Sequence, residues 1–164
     1  MAENITATQL ETYSRLLDLG HLLERQSDRM LREAAGMTMS QYRALIFLRN
    51  SGGEMRMAEL ANLLVATPSG ATYQLTQLEK LGYAERVAAR GDDRGVVARI
   101  TQGGRDAVAA VRASQNDLIW DAVVAPLSAA ELGMLHELLG RLQLQLRGGT
   151  LPDMLPEDAP AARG

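Results

Sequence analysis

Residues 57–101 read MAELANLLVATPSGATYQLTQLEKLGYAERVAARGDDRGVVARIT, and the hydrophobic period changes inside this one stretch. Over 57–81 the apolar residues Leu60, Leu63, Leu64, Ala71, Leu75 and Leu78 recur at helical spacing. From 83 onward the pattern is strand-like. Val87, then Val96, Val97 and Ile100, flank the turn-rich Arg90-Gly91-Asp92-Asp93-Arg94-Gly95. The stretch predicts two short helices, a tight connection, and a two-stranded hairpin with arginines at its tip. Thr67 suits the N-cap of the second helix, and Pro68 suits its first position, where no backbone donor is needed.

Outward from this centre, further helices are expected on both sides. Over 8–35, Leu10, Tyr13, Leu16, Leu17, Leu19, Leu22 and Leu23 give more than one apolar stripe, and Gly36 supplies a C-cap. So long an apolar surface, with little chain before it, calls for a partner helix. Thr38 or Ser40 caps a second helix through about residue 50, with Tyr42, Leu45, Ile46 and Leu48 inward. Ser51-Gly52-Gly53 ends it, and Glu54-Met55-Arg56 is a short strand or connector. Gly103-Gly104 opens a long helix over about 105–124, which Pro126 stops. Ser128 and Glu131 form a capping-box pattern for a last, leucine-rich helix to about 147. Residues 148–164 are rich in Gly, Pro and acids and read as a mobile acidic tail.

The bulk composition narrows the function classes. The chain has 164 residues, a net charge of −3 and no cysteine. Disulfides, thiolate zinc sites and thiol-based oxidant sensing are therefore excluded. Only two histidines are present, with no metal-ligand spacing and no nucleophile motif, so no catalytic residue, metal or cofactor is expected. No apolar run approaches the ~18 residues a membrane span needs. The expected location is cytoplasmic, with no membrane partner. Residues 1–53 and 54–101 are each charge-balanced; residues 102–164 carry five arginines against eight acids. The acidity thus sits away from the central stretch, where it does not oppose a polyanionic partner.

These elements make a mainly α (α+β) chain with a winged helix-turn-helix at its centre. Helical phase turns Ala71, Leu75 and Leu78 inward. Ser69, Thr72, Tyr73, Thr76 and Gln77 then face outward near the N-terminal end. Hydroxyl and amide groups on such a face can read base edges in a major groove, and Tyr73 can meet a thymine methyl or a phosphate. The same polarity also suits an ordinary solvated face. At the hairpin tip, Arg94 can reach a narrow minor groove, with Asp92 accepting its hydrogen bonds and fixing its aim. Arg90 is a phosphate contact by the same reading. A solvated charged turn is the plainer alternative.

The pieces taken together resemble the MarR (multiple antibiotic resistance regulator) family of transcriptional regulators. Gly36-Met-Thr-Met-Ser-Gln-Tyr42 is similar to the family's turn into its second helix, and Arg56-Met-Ala-Glu-Leu-Ala61 to the start of its third. Thr67-Pro-Ser-Gly-Ala-Thr72, with Leu78-Glu-Lys-Leu-Gly-Tyr83 and Arg86, is similar to its recognition helix and exit. Asp92-Asp-Arg-Gly-Val-Val-Ala-Arg-Ile-Thr101 followed by Gly103-Gly104 is similar to its wing. The likeness spans about residues 10–147. One departure is that Tyr73 and Gln77 stand where the family often has arginine, which bears on the operator sequence.

The resemblance implies a DNA-binding regulator, a repressor by default, with DNA contacts from Thr67, Pro68, Ser69, Thr72, Tyr73, Thr76, Gln77, Arg86, Arg90, Asp92 and Arg94. It implies a homodimer joined through dimerisation helices in 1–36 and 103–147, around a DNA-binding lobe in 37–102. Trp120 fits either that interface or an internal core. The resemblance also implies a small aromatic or anionic effector in a cleft between dimerisation helices and DNA-binding lobe. His21 and Arg25 on the first helix, with Tyr42 and Arg43 on the second, are the candidate contacts. A histidine that merely packs or faces solvent is the plainer reading of His21. The competing function is a winged-helix protein-interaction module without sequence-specific DNA binding.

Overall fold

A computed structural model describes residues 4–89 and 95–149. Its first helix, α1 (Ala7–Ala35), is opened by a capping box between Thr6 and Gln9 and closed by Gly36 in the left-handed region, at φ 68°. Helix α2 (Met39–Asn50) opens on a second capping box, between Thr38 and Gln41. Each box satisfies two backbone donors that a helix start leaves open. The N–H of Met39 also donates to the Asp28 carboxylate at 2.5 Å, which ties the start of α2 to the side of α1.

Strand β1 (Glu54–Arg56) leads into helix α3 (Met57–Leu64). The connection to helix α4 (Pro68–Lys80) passes through Val65, which sits in the left-handed region at φ 54°. Strands β2 (Ala84–Ala88) and β3 (Val96–Ile100) complete an antiparallel sheet in the order β1-β3-β2. Glu54 lies opposite Arg99, and the two side chains pair at 2.8 Å. Ala88 lies opposite Val96, and a hydrogen bond from Ala89 N to Gly95 O (2.8 Å) continues the hairpin.

The core gathers around α2. Ala44, Leu45, Ile46, Phe47 and Leu48 are all buried, so this helix is covered on every side. Leu60 and Leu64 from α3, Leu75 and Leu78 from α4, and Ala98 and Ile100 from β3 pack into the same cluster. Burying each leucine stabilises the fold by about 1.5–3 kcal/mol. From α1 only Leu31 is buried, and the last two helices contribute nothing.

The long helix expected over 105–124 begins earlier and is interrupted. Helix α5 (Gln102–Ala110) is capped by Thr101, whose hydroxyl accepts from Gly104 N and donates to Gly82 O at 2.6 Å. Gly103-Gly104 is therefore inside the first turn of the helix. After Val111 comes α6 (Arg112–Ile119), then one π-helical turn (Trp120–Val124) closed by Ala125 N donating to Trp120 O. Helix α7 (Ala129–Arg147) starts on the Ser128–Glu131 capping box and ends at Gly148. The Ser128 bonds hold the fully exposed Glu131 carboxyl below its usual range. Of the expected tail, residues 150–164 lie outside the described residues.

Gly104 shows why a glycine sits inside α5. A β-carbon there would run into the carbonyl oxygen of Tyr83 and stand 2.9 Å from Ile100 Cγ1. The obstacle is mainly backbone, which cannot swing aside. Gly104→Ala is expected to cost about 1–3 kcal/mol, read as a lower denaturation midpoint in urea with an unchanged slope.

Candidate nucleic-acid interface

Helix α4 has two distinct faces. Ala71, Leu75 and Leu78 are buried against the core, while Ser69, Thr72 and Tyr73 are exposed and Thr76 and Gln77 are half-buried. Tyr73 stands 60% exposed, too open for a core role. The Thr67 hydroxyl accepts from Gly70 N at 3.1 Å and lies 3.1 Å from Ser69 Oγ, so it acts first as the helix cap. Pro68 occupies the first helical position. The helix thus presents hydroxyl, phenol and amide groups at its N-terminal half, and no charged side chain among them.

Arg86, expected at the DNA, already has partners within the protein. From β2 it pairs with Glu79 of α4. Its guanidinium also donates to Thr72 O (3.1 Å) and Thr76 Oγ1 (3.0 Å), and its backbone N–H donates to Glu79 Oε1 (3.1 Å). One side chain thereby fastens strand β2 to helix α4 and holds Thr76 in place. Its planar fork lets it serve three acceptors at once. Sequence reasoning gave Glu79 no role, because the pairing exists only once β2 folds back beside α4. The tip residues Arg90, Asp92 and Arg94 lie outside the described residues.

The four expected effector contacts do not converge. His21 and Arg43 line one cavity of about 510 Å³, between α1, α2 and the end of α7. Arg25 lines a different surface depression on α1, with Asp28, Arg29 and Arg32. Tyr42 is buried, and its hydroxyl donates to Gln115 Oε1 at 2.6 Å, bracing α2 against α6. Arg25 and His21 are one turn apart, but α1 is open on several sides and the two open onto different hollows. Arg147, to which the sequence pattern assigns no role, lines the same hollow as Arg43 and donates to Leu63 O at 3.4 Å. Burial pushes the Arg43 guanidinium below its ordinary range; the positive Arg147 adds to this, and Glu24 opposes it. Among the described residues, no three of His, Asp and Glu are grouped so as to hold a metal ion.

Residues 35–95, which hold α2, α3, α4 and β2, match the sequence model of the MarR family. That stretch is similar to the MarR family, and the fold built on it is a winged helix. Among solved structures, Sco3205, a MarR family transcriptional regulator from Streptomyces coelicolor in complex with DNA, is 26% identical. The match covers 98% of this chain and 96% of that one, with a TM-score of 0.82. AbsC, a MarR family regulator from the same organism, is 26% identical over 90% of this chain and 99% of that one, with a TM-score of 0.79. A mutant MarR from E. coli, complexed with operator DNA, shares the fold at 24% identity, over 85% of this chain and 99% of that one, with a TM-score of 0.68. No curated protein matches this chain. In this winged-helix arrangement α4 is the second helix of the helix-turn-helix and β2 and β3 form the hairpin that follows it.

The Arg86 fastening yields a measurable consequence. Arg86→Ala is expected to lower stability by about 0.5–1 kcal/mol, because it removes an ion pair and two hydrogen bonds whose acceptors water then meets. Arg86→Lys should recover only part of that loss, since an ammonium cannot fork across three acceptors. Chemical denaturation of the three proteins checks this; equal midpoints for all three contradict it.

Proposed function

We propose that this protein is a transcriptional regulator that binds a pseudo-palindromic DNA operator as a homodimer, represses, and is released by a small organic effector. The exposed, uncharged N-terminal half of α4 carries the proposal. A helix end of this kind suits a phosphate at its N-terminus and base edges along its first two turns. The similarity to Sco3205, solved in complex with DNA, supports the same reading. In this reading Ser69, Thr72, Tyr73 and Gln77 read bases, with Thr67 and Pro68 at the approach. Thr76 and Arg86 keep that face in shape beside the backbone. Arg94 probes the minor groove with Asp92 as its orienter, and Arg90 meets a phosphate.

Dimer formation is supported by apolar surface left open at both ends of the chain. Leu10, Tyr13, Leu16, Leu17, Leu19 and Leu22 of α1 are exposed, as are Leu138, Leu139, Leu142 and Leu146 of α7. Trp120 is 60% exposed, which favours the interface over an internal core for this residue. So much uncovered leucine on two helices is the mark of an association surface. No single helix among the described residues is long and apolar enough to cross a membrane.

Sedimentation of the purified chain should give a dimer at micromolar concentration. Binding-site selection from random duplexes should return two half-sites with centres about 10 bp apart. Tyr73→Ala and Gln77→Ala should relax that sequence choice more than they weaken non-specific binding. Arg94→Ala should weaken binding to every duplex, by about 1–3 kcal/mol. A monomer that selects no sequence, with affinity unchanged by Arg94→Ala, overturns the proposal in favour of a protein-docking role.

A further inference from the structure

A hollow of about 710 Å³ opens between the end of α7 and the turn from α3 into α4. Leu63, Val65, Ala66 and Thr67 line one side of it, and Leu146 and Arg147 the other. Val65 and Leu146 are both exposed, so the rim offers apolar surface to an occupant. Arg147 adds positive charge, and it stands near enough to Arg43 for the two cations to repel one another. Apolar side chains with an acid among them suit both features, since a carboxylate gives a guanidinium a charge-assisted bond.

The chain itself supplies such an occupant. Helix α7 ends beside the hollow at Arg147, and Gly148 and Gly149 turn the backbone there, with Gly149 N donating to Leu144 O at 3.0 Å. The next residues, 150–158, read TLPDMLPED and lie outside the described residues. Leu151, Met154 and Leu155 are apolar, Asp153 lies among them, Glu157 and Asp158 follow, and the stretch has no cation. Two residues span at most about 7 Å and six about 20 Å, so these side chains are in reach of a hollow that opens where α7 ends. Pro152 and Pro156 each fix φ, which lowers the entropy lost on docking. A hollow of this size gives little affinity to a free partner, whereas a segment tethered a few residues away acts at an effective millimolar concentration.

We propose that residues 150–158 dock in this hollow beside their own α7, with Leu151, Met154 and Leu155 on Leu63, Val65 and Leu146 and with Asp153 on Arg147. Glu157 and Asp158 then lie beside Thr67, at the start of α4. The first turn of α4 carries no acid of its own, so its N-terminal dipole favours negative charge there. The docking stands on the hollow and the adjoining sequence; its effect on DNA rests on the function proposed above. A carboxylate at Thr67 takes the place of a DNA phosphate in that reading, so the docked segment and the duplex exclude one another. A segment docked in about nine molecules of ten leaves a tenth open and raises the apparent Kd for DNA about tenfold.

The chain has no cysteine, so a nitroxide attached through Ala159→Cys reports from one place. In NMR spectra of the full chain it should broaden the amide signals of residues 62–67. The double variant Met154→Ser/Leu155→Ser, which changes no charge, should remove most of that broadening and tighten duplex binding by about three- to tenfold. Asp153→Asn should tighten binding more than Glu137→Gln, which removes an exposed charge elsewhere on α7. Broadening that is absent from the parent chain, or unchanged in the double variant, overturns the docking. When isotope-labelled copies without nitroxide are mixed with nitroxide-bearing copies without isotope, broadening means that the segment crosses to a partner copy, and it overturns the assignment to its own α7. Equal tightening by Asp153→Asn and Glu137→Gln, or a duplex affinity unchanged in the double variant, overturns the competition with DNA. A chain that docks the segment but binds no duplex overturns the function proposed above and leaves the docking standing.

Discussion

The fold depends on burying α2 from all sides. Its run from Ala44 to Leu48 leaves no solvent face, so each neighbour must supply apolar cover. Helix α3, helix α4 and strand β3 do so with Leu60, Leu75, Leu78 and Ile100. The outward face of α4 follows from this, since a helix that commits Ala71, Leu75 and Leu78 to the core can show only the complementary residues to a partner. The wing is set by the same packing. The hydroxyl of Tyr83 donates to Ala35 O at 3.0 Å, so the strand leaves α4 at a place fixed by the end of α1.

Polar bonds then set what packing leaves undetermined. Leucines fix how deep α4 sits but not where its exposed side chains point. Arg86 restrains part of that face by linking Thr72, Thr76 and Glu79 to the wing strand. At the other end of the lobe, Asp28 holds the start of α2 and Tyr42 holds its flank through Gln115. The terminal helices differ in kind. They are capped and regular, yet expose rows of leucine that one copy of the chain does not cover.

Local features were legible in the sequence, and features made by distant contacts were not. The caps at Thr67 and Ser128 and the stop at Gly36 need only a few neighbouring residues and can be read from the chain, and Thr38 was one of the two cap candidates for α2. The change of period from α4 to β2 and β3 located the hairpin for the same reason. The start of α5 was misread because Gly103-Gly104 resembles a break. Its real cause is the close approach of Tyr83, a contact from about twenty residues away. Arg25 and His21 share a helix turn but not a hollow, because periodicity does not say where the neighbours of a largely exposed helix lie. Arg147 gave no signal, since an arginine at the end of a helix is ordinary until its surroundings are known.

Val65 carries a consequence for where mutations act. A β-branched residue in the left-handed region costs about 1–2 kcal/mol, and this side chain is 75% exposed, so burial returns little of it. The local sequence does not favour the turn it makes. The angle between α3 and α4 is therefore enforced by the rest of the lobe, through Leu60, Leu64, Leu75 and Leu78 packed under α2. A small change deep in that core, far from any surface group, can relax the turn toward an ordinary backbone and reorient α4. Residues that touch nothing outside the protein thus share control of what α4 meets.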